Sequence, residues 1–140
     1  MPTDFTNILY DNIIKPLSLL INNEFSIPVN YDEHKGNQSF VITPESDSLV
    51  TQLSYGSQRE YGISISYQLK FGGTYNKNSM KQVSSIMERL KKLINSNTIS
   101  SSGAEFFDAR ISSIDYEIDD EDKSLLRGIA LFNCQNIEVL

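Results

Sequence analysis

Residues on which most catalytic and metal sites depend are scarce in this sequence. The 140 residues include one cysteine, Cys134, one histidine, His34, and no tryptophan. A lone cysteine excludes an intrachain disulfide framework and a cysteine-rich zinc site, and a lone histidine leaves little for a catalytic triad or a histidine metal cluster. We interpret His34 as a solvated residue of a polar loop. Cys134 lies in an apolar strand pattern and is interpreted as a buried small hydrophobe.

Long apolar runs are also missing. No segment approaches the ~18 consecutive apolar residues that a membrane-spanning helix needs, and residues 1–5 lack the basic region and apolar core of a signal peptide. We therefore expect a soluble protein without a membrane partner. Hydrophobic residues make up 39% of the chain, which is typical of a folded protein, and the length predicts a single domain over residues 1–140.

The motifs that bind phosphate or metal ions are incomplete. Gly72-Gly73-Thr74 precedes a predicted helix, but no Gly-Lys-Ser/Thr follows it, so a phosphate cradle is disfavoured. The carboxylates of Asp119–Asp122 suit magnesium or calcium, yet the run lacks the glycine and alternating ligands of a calcium loop. We interpret it as a solvated hairpin turn, with a monomeric divalent-metal or ligand-binding domain as the alternative. Without a catalytic or cofactor motif, we predict no enzyme activity and no cofactor.

The most regular pattern in the chain is Tyr61–Phe71, where every odd position is apolar and every even position is small or polar. Successive side chains of a strand point to opposite faces, so the pattern predicts a strand with one buried and one exposed face. These eleven residues span about 36 Å, and a compact domain of this length is about 37 Å across. The strand is therefore predicted to cross the whole body and to form the spine of a sheet.

The N-terminal part is predicted to be a helix followed by a strand. Apolar residues recur at spacings of three and four over Asp4–Leu20, which indicates an amphipathic helix. Pro16 predicts a kink or break near Ile14–Lys15 because it cannot donate to the preceding turn. Alternation over Phe25–Tyr31 indicates a first strand, and Pro28 places that strand at a sheet edge because it removes an amide donor.

Two further strand patterns precede the long strand. Ser39–Thr43 is predicted to be a short strand that Pro44 stops. Leu49–Tyr55 alternates, and Gly56–Glu60 then interrupts the pattern. Together with the long strand, these residues are predicted to form an antiparallel hairpin.

A helix and a second hairpin follow. The apolar stripe that begins at Asn78 or Ser79 and ends at Ile94 predicts an amphipathic helix. Glu105–Ile118 returns to strand alternation, with a change of phase at Ser112–Ser113 that indicates a β-bulge. Asp119–Lys123 is the predicted turn, and Leu125–Val139 is the last strand, with both faces largely covered.

This order of elements predicts an α+β domain. We expect an antiparallel β-sheet of four to five strands with two helices packed on one face. The hairpin arms are long for a body of this size, so long projecting β-hairpins are part of the prediction. A projecting strand edge carries unpaired amides and carbonyls, and a neighbouring copy is its usual partner.

The net charge of −6 is unevenly spread. Arg59–Lys92 contains seven basic and two acidic residues, whereas Glu105–Asp122 contains eight acidic residues and one basic residue. Both segments are interpreted either as solvated faces or as complementary surfaces that meet between subunits. On the second interpretation, the candidate subunit-interface residues are Arg59, Glu60, Lys81, Arg89, Lys92, Asp115, Glu117, Asp119, Asp120 and Asp122.

The layout resembles that of the tail-terminator (tail-completion) family of tailed bacteriophages. The features that carry the resemblance are the helix Asp4–Leu20, the hairpin Leu49–Phe71, the helix Ser79–Ile94 and the hairpin Phe106–Val139. The resemblance implies a small subunit of a ring homo-oligomer, a hexamer in that family. Such a ring caps the tail tube and connects it to the head-completion (neck) proteins. It belongs to the tail or neck of the virion and is assembled in the host cytoplasm.

The resemblance also implies the partners of the protein. These are further copies of itself, the tail tube protein and the head-completion proteins, while DNA only passes through the channel. An acidic chain suits such a channel because like charge suppresses binding to the DNA backbone. A head–tail adaptor (neck) protein and a tail-tube subunit are the alternatives within phages, and a tube subunit would stack into long polymers.

Overall fold

A computed structural model of the protein describes residues 2–31, 36–70, 77–100, 105–122 and 124–139. Its elements are a π-helical segment (Leu9–Ile14), α1 (Lys15–Phe25), β1 (Val29–Asn30), β2 (Gln38–Leu53), β3 (Gly56–Lys70), α2 (Lys77–Asn95), β4 (Phe107–Ile118) and β5 (Leu125–Val139). The strands form one sheet in the order β1-β2-β3-β5-β4, in which β1 is parallel to β2 and the other neighbours are antiparallel. The predicted α+β class is confirmed, with a mixed sheet.

The core lies on one face of the sheet, as the alternation in the long strand predicted. On β3, the odd-numbered side chains from Tyr61 to Leu69 are all buried. Ile65 lies between Ile42 of β2 and Ala130 of β5, and cross-strand partners share a face. Residues of both helices belong to the same buried cluster, so α1 and α2 pack on this face as expected. We call it the helix face and the opposite side the open face.

The N-terminal helix changes geometry at Pro16. The segment before it is π-helical, and regular α-helix begins at Lys15. Pro16 occupies the first turn of α1, where the amide that it lacks would have no intrahelical partner. The predicted kink or break near Ile14–Lys15 is not seen as an interruption, because both residues keep right-handed helical backbone angles and only the helix type changes there. At the other end, Ser26 has a left-handed backbone (φ 54°) and donates its N–H to Asn22 O at 3.0 Å.

The first strand is shorter than predicted. Phe25 was expected to begin it, but this residue ends α1, because its ring packs into the core from the helix, 5.0 Å from the ring of Phe40. β1 contains only Val29 and Asn30. It lies at a sheet edge, as Pro28 predicted, and it runs parallel to β2.

Pro44 does not stop the second strand, contrary to the prediction. Ser39–Thr43 and most of Leu49–Tyr55 belong to one continuous strand, β2. Phe40 N–H donates to Pro28 O at 2.9 Å, on the edge away from β3, and alternation along the strand puts the nitrogen of Pro44 on that same edge. The proline therefore removes no hydrogen bond from the β2–β3 ladder. Two register shifts in β2, one of them at Pro44, are β-bulges.

The hairpin turn lies earlier than predicted. Gly56–Glu60 was expected to interrupt the strands, but these residues open β3, and residues 54–55 form the turn. A glycine is needed at position 56 because β5 passes so close that a Cβ would stand 1.9 Å from Glu138 O. Gln52 Nε2 donates to Gly56 O at 3.0 Å and closes the turn.

The second hairpin is bent and does not project. The register shift between Ile111 and Ser113 confirms the predicted bulge. The turn after β4 lies beside the end of β3, where Lys70 pairs with Leu125, so this hairpin ends with the sheet. Alternate residues of β5 are buried and those between them are mostly half-buried, so β5 is covered fully on the helix face and only in part on the open face.

α2 begins at Lys77, slightly before the predicted start at Asn78 or Ser79. The predictions for His34, Phe71 and Gly72–Thr74 concern positions outside the described residues.

Candidate subunit interface

One end of the sheet extends beyond both helices. It consists of Glu45–Glu60 from β2 and β3 together with Gln135–Val139 from β5, and we call it the arm. In β2, all eight residues from Glu45 to Gln52 are exposed, whichever face they point to. A strand that is exposed on both faces has no core of its own, so its order depends on pairing with β3.

The arm has a free edge. β1 pairs with β2 only at Phe40 and Val41, so from Thr43 to Leu53 no described strand lies on the side of β2 away from β3. The backbone groups along such an edge are available to a strand of another chain. β4 forms the opposite edge of the sheet, and beyond Ala109, whose N–H donates to Thr98 O at 2.9 Å, no described strand lies on its outer side.

Exposed apolar side chains are concentrated on the arm. Five large hydrophobic residues there are 41–66% exposed, namely Leu49, Val50, Tyr55, Ile137 and Val139. No charged residue occurs between Asp47 and Arg59. Glu138 of β5 is opposite this run, at Ser57, and an apolar surface beside an unpaired strand edge is typical of a protein–protein contact. The sequence signal for this surface is the uncharged run between Asp47 and Arg59. The interface was predicted from charged residues only, so this run was not included.

Two of the predicted interface residues, Arg59 and Glu60, lie at the base of the arm and bind within the chain. Arg59 Nε donates to Asp47 Oδ1 at 2.6 Å, and this hydrogen bond raises the pKa of the guanidinium. Glu60 accepts a hydrogen bond from Arg110 of β4, which also contacts Asp108 at 3.1 Å. The Arg59–Asp47 pair joins the neighbouring strands β3 and β2, and the Glu60–Arg110 pair reaches from β3 across β5 to β4.

The basic residues of α2 form a second group. Arg89 donates from Nε to Glu24 Oε1 at 3.0 Å and from a terminal nitrogen to Glu24 O at 2.7 Å. Its guanidinium also lies 4.6 Å from the centroid of the Phe25 ring, so Arg89 holds α2 to the end of α1. Lys81 and Lys92 are exposed and form no ion pair with a described residue. These two lysines are therefore available for an external contact.

The acidic residues of the β4–β5 hairpin form a third group. Arg127 donates to Glu117 at 2.6 Å and to Asp119 at 2.8 Å. The hydrogen bond from Arg127, together with backbone N–H groups of the turn, lowers the pKa of Asp119. Hydrogen bonds from Ser124 lower the pKa of Asp122 in the same way. These carboxylates hold the hairpin turn in shape.

Asp115 and Asp120 differ from these, since neither forms an ion pair with a described residue. Asp115 is opposite Ile129 on the open face of β4, and Asp120 lies in the turn. The ten predicted residues thus occupy three separate places: the base of the arm, α2 and the β4–β5 hairpin. Among the described residues, no ion pair joins the basic group of α2 to the acidic group of the hairpin.

The described residues contain neither a cluster of metal-ligand side chains nor an exposed thiol. No three His, Cys, Asp or Glu side chains among them form a group that could hold a metal ion. Cys134 is buried, as predicted, and burial raises the pKa of its thiol to about 12, which leaves it unreactive. No helix in the described part of the chain is long and apolar enough to cross a membrane.

An open cavity of about 560 Å³ lies between α1 and the segment that follows α2. Leu19 and Ile99 at its rim are 55% and 57% exposed, and Phe106 in its lining is buried. Lys15 and Glu105 are among its polar lining residues. The cavity therefore has a mixed lining, in which Leu19 and Ile99 are exposed apolar side chains.

Comparison with known proteins gives a likeness in fold alone. No family model and no curated protein sequence matches the chain. Among solved structures, the fold is similar to that of a chain in the virion of a native gene transfer agent (GTA) particle. The match has a TM-score of 0.50 at 8% sequence identity and covers 94% of this chain and 90% of the other. The two chains therefore share a fold over nearly their whole lengths.

Proposed function

We propose that this protein is a structural component of a phage-like virion and has no enzymatic activity. The observation that best supports the proposal is the fold similarity to a chain of the GTA virion, which extends over 94% of this protein. The arm supports it as well, because a projecting strand with a free edge and exposed apolar residues suits assembly with other protein chains.

Within that class, we propose the role of a tail terminator. The order of helices and hairpins resembles that family, whose subunits form a hexameric ring that caps the tail tube and connects it to the head-completion proteins. The partners are then further copies of this chain, the tube protein and the neck proteins, and DNA only passes through the channel. The net charge of −6 supports this role because it disfavours binding to the DNA backbone.

Complementary charge would steer neighbouring copies of the ring toward each other at long range, without a contact between α2 and Asp115 on the open face. Lys81 and Lys92 on one side, and Asp115 and Asp120 on the other, form no ion pair with a described residue, and opposite charges on facing surfaces steer association. Reversing both lysines to glutamate should weaken ring formation, and reversing both aspartates to lysine in the same chain should restore it. If the wild type, the lysine reversal and the combined reversal assemble equally at low salt, charge steering is removed from the proposal.

The test of the terminator role uses the tail tube protein of the same genome. Tubes are polymerised with and without this protein and measured by electron microscopy. A terminator should stop tube growth and add density at one end of each tube. Tubes of unchanged length with binding to the neck proteins would indicate an adaptor instead, and long polymers of this protein alone would indicate a tube subunit. Binding to neither tubes nor neck proteins would overturn the tail role.

A further inference from the structure

We propose that the free edge of the arm pairs with the β4 edge of a second copy of this chain. The inference rests on the ring assembly proposed above and identifies the surfaces that make its subunit contact. On one copy the contact is formed by Ser46–Leu53 of β2, and on the next by the edge of β4. Neither edge has a strand partner among the described residues.

The strand directions fit this pairing. β2, β3, β5 and β4 alternate in direction along the sheet, so β2 and β4 run antiparallel to each other. A second copy placed alongside in the same orientation brings its β2 antiparallel to β4 of the first, and the alternation continues from copy to copy. Each copy then contributes one edge of each kind, which is the heterologous relation that generates closed rings.

The apolar side chains at both edges lie on the helix face. Leu49 is opposite Arg59 of β3, which shares the odd-numbered face with the buried core residues. Tyr116 and Ile118 are opposite Gly128 and Leu126 of β5. These two residues pair in turn with Tyr67 and Leu69 on the helix face of β3. All three side chains are 39–52% exposed. Because faces are preserved in a continuous sheet, Leu49 of one copy comes beside these residues of the next.

This contact requires the second copy to be displaced along its strands. Along β3, Leu49 lies at the level of Arg59, and Tyr116 lies at the level of Tyr67. Leu49 and Tyr116 of one chain are therefore about eight residues, or 26 Å, apart along the strand direction. The displacement keeps β1 of the second copy clear of β4, where an unshifted copy would place it. Closed barrels accommodate such a stagger by tilting their strands about 35–45° from the axis, and the bulges in both strands assist the bend.

Charge favours the arm, rather than a second β4, as the strand that pairs with the β4 edge. The open face of β4 carries Asp115 and Glu117, so a second β4 on this edge would set carboxylates against carboxylates, which destabilises paired strands. The contact segment Ser46–Leu53 brings one charge, Asp47, which is paired with Arg59 of its own chain at 2.6 Å and lies on the helix face, opposite Tyr61. The arm of another copy therefore meets the β4 edge without repulsion.

The test combines two edge-blocking variants of the full chain. Leu49→Lys with Val50→Lys blocks the arm, and Tyr116→Lys with Ile118→Lys blocks β4, because lysine on a strand edge opposes pairing. The matched control is Leu19→Lys with Ile99→Lys, which charges two equally exposed apolar residues on neither edge. Circular dichroism verifies the fold of each variant, and Tyr116→Lys alone replaces the β4 pair if that pair fails to fold.

Sedimentation velocity at high salt, where surface charges are screened, then measures assembly. The wild type and the control should form oligomers as concentration rises, and each edge variant alone should stay monomeric. A 1:1 mixture of the two edge variants should form a heterodimer and nothing larger, because one intact arm then meets one intact β4 edge.

Each other pattern overturns the inference. A mixture that stays monomeric excludes the arm–β4 pair. If the arm variant loses assembly but the β4 variant still assembles, two arms pair with each other. Loss of assembly in the control indicates contact through the cavity beside α1. A monomeric wild type excludes self-association through these edges. None of these results decides the virion role, which the tube experiment tests by itself.

Discussion

The two halves of the β2–β3 hairpin have the same backbone pairing and opposite environments. Under the helices, Phe40 and Ile42 of β2 have no exposed surface, and neither do Tyr67 and Ile65 opposite them on β3. In the arm, eight consecutive residues of β2 are exposed. The comparison shows that pairing is enough to form a strand, whereas burial of a face depends on what lies above it.

Element lengths explain where the change occurs. β2 has sixteen residues and spans about 53 Å. α2 has nineteen residues and spans about 28 Å, and α1 together with the six-residue π-helical segment before it spans about 25 Å. Helices of these lengths cannot cover the whole strand, so the arm is left without a core.

The largest expected effect is a charge placed under the helices. Ile65→Asp puts an unpaired carboxylate at a position with no exposed surface, between Ile42 and Ala130. Burying a charge without a partner costs several kcal/mol, which is comparable to the whole stability of a small domain. We expect the variant to be unfolded at 25 °C in a urea titration followed by circular dichroism.

Two matched substitutions give the comparison its control. Ser64→Asp places the same group on the half-buried open face, and Leu49→Asp places it on the exposed arm. Both variants should unfold in a transition close to that of the wild type. Damage from Leu49→Asp equal to that from Ile65→Asp would mean that the arm is packed in solution as tightly as the body.

A second prediction concerns the fit of α2 on the sheet. Gly128 lies under α2, where an added Cβ would stand 2.6 Å from Met87 Cγ and 3.1 Å from a methyl group of Val83. Gly128→Ala should therefore destabilise the protein by about 1–3 kcal/mol, the usual cost of overpacking a core. In the same urea titration, the cost of Gly128→Ala should be smaller in a Met87→Ala background than in the wild type, because the clashing side chain is then absent. A neutral Gly128→Ala would show that α2 packs loosely on β5.

A smaller effect is expected where the two helices are joined. Arg89→Ala removes the contacts to Glu24 and the stacking on Phe25, and we expect a loss of about 1 kcal/mol. Lys81→Ala on the same helix is the control, because Lys81 has no ion pair with a described residue. Thermal unfolding should distinguish the two variants, and equal midpoints would show that Arg89 adds nothing to the body.

The smallest effect is a pH dependence of the β4–β5 turn. The pKa of Asp119 is lowered from 3.8, chiefly by the hydrogen bond from Arg127. As pH falls, the unfolded chain takes up this proton before the folded protein does, so stability that is fully present above pH 3.8 is lost as pH falls through the lowered pKa. Asp119→Asn should therefore flatten the acid limb of a stability–pH profile. Asp120→Asn is the matched control, because it removes the same charge from a residue of the same turn that forms no ion pair with a described residue.

Some of this molecule could be read directly from the sequence. The alternation from Tyr61 onward identified the buried face of β3, and the phase change at Ser112–Ser113 identified the bulge in β4. These features follow from side-chain direction, which is local to the strand. The position of Pro44 inside β2 was not predictable in this way, because it depends on which edge of the strand lacks a partner.

The candidate interface, like the fold, could be predicted from the sequence only in part. Charged residues were visible as composition, but the partners of Arg59, Glu60 and Arg89 are distant in sequence and are fixed only by the fold. The apolar residues of the arm, such as Leu49, were expected to alternate between a buried and an exposed face. Their exposure depends on where the helices end, which strand pattern alone does not specify.

Hydrogen exchange tests the difference between body and arm most directly. Amides of the free edge, from Ser46 to Leu53, should exchange quickly in dilute protein and become protected when the protein is concentrated enough to assemble. Amides of β3 between Ile63 and Tyr67 should be protected under both conditions, because they lie in the helix-covered core. Protection of the arm that is already complete in dilute protein, or that does not change on assembly, would contradict the account.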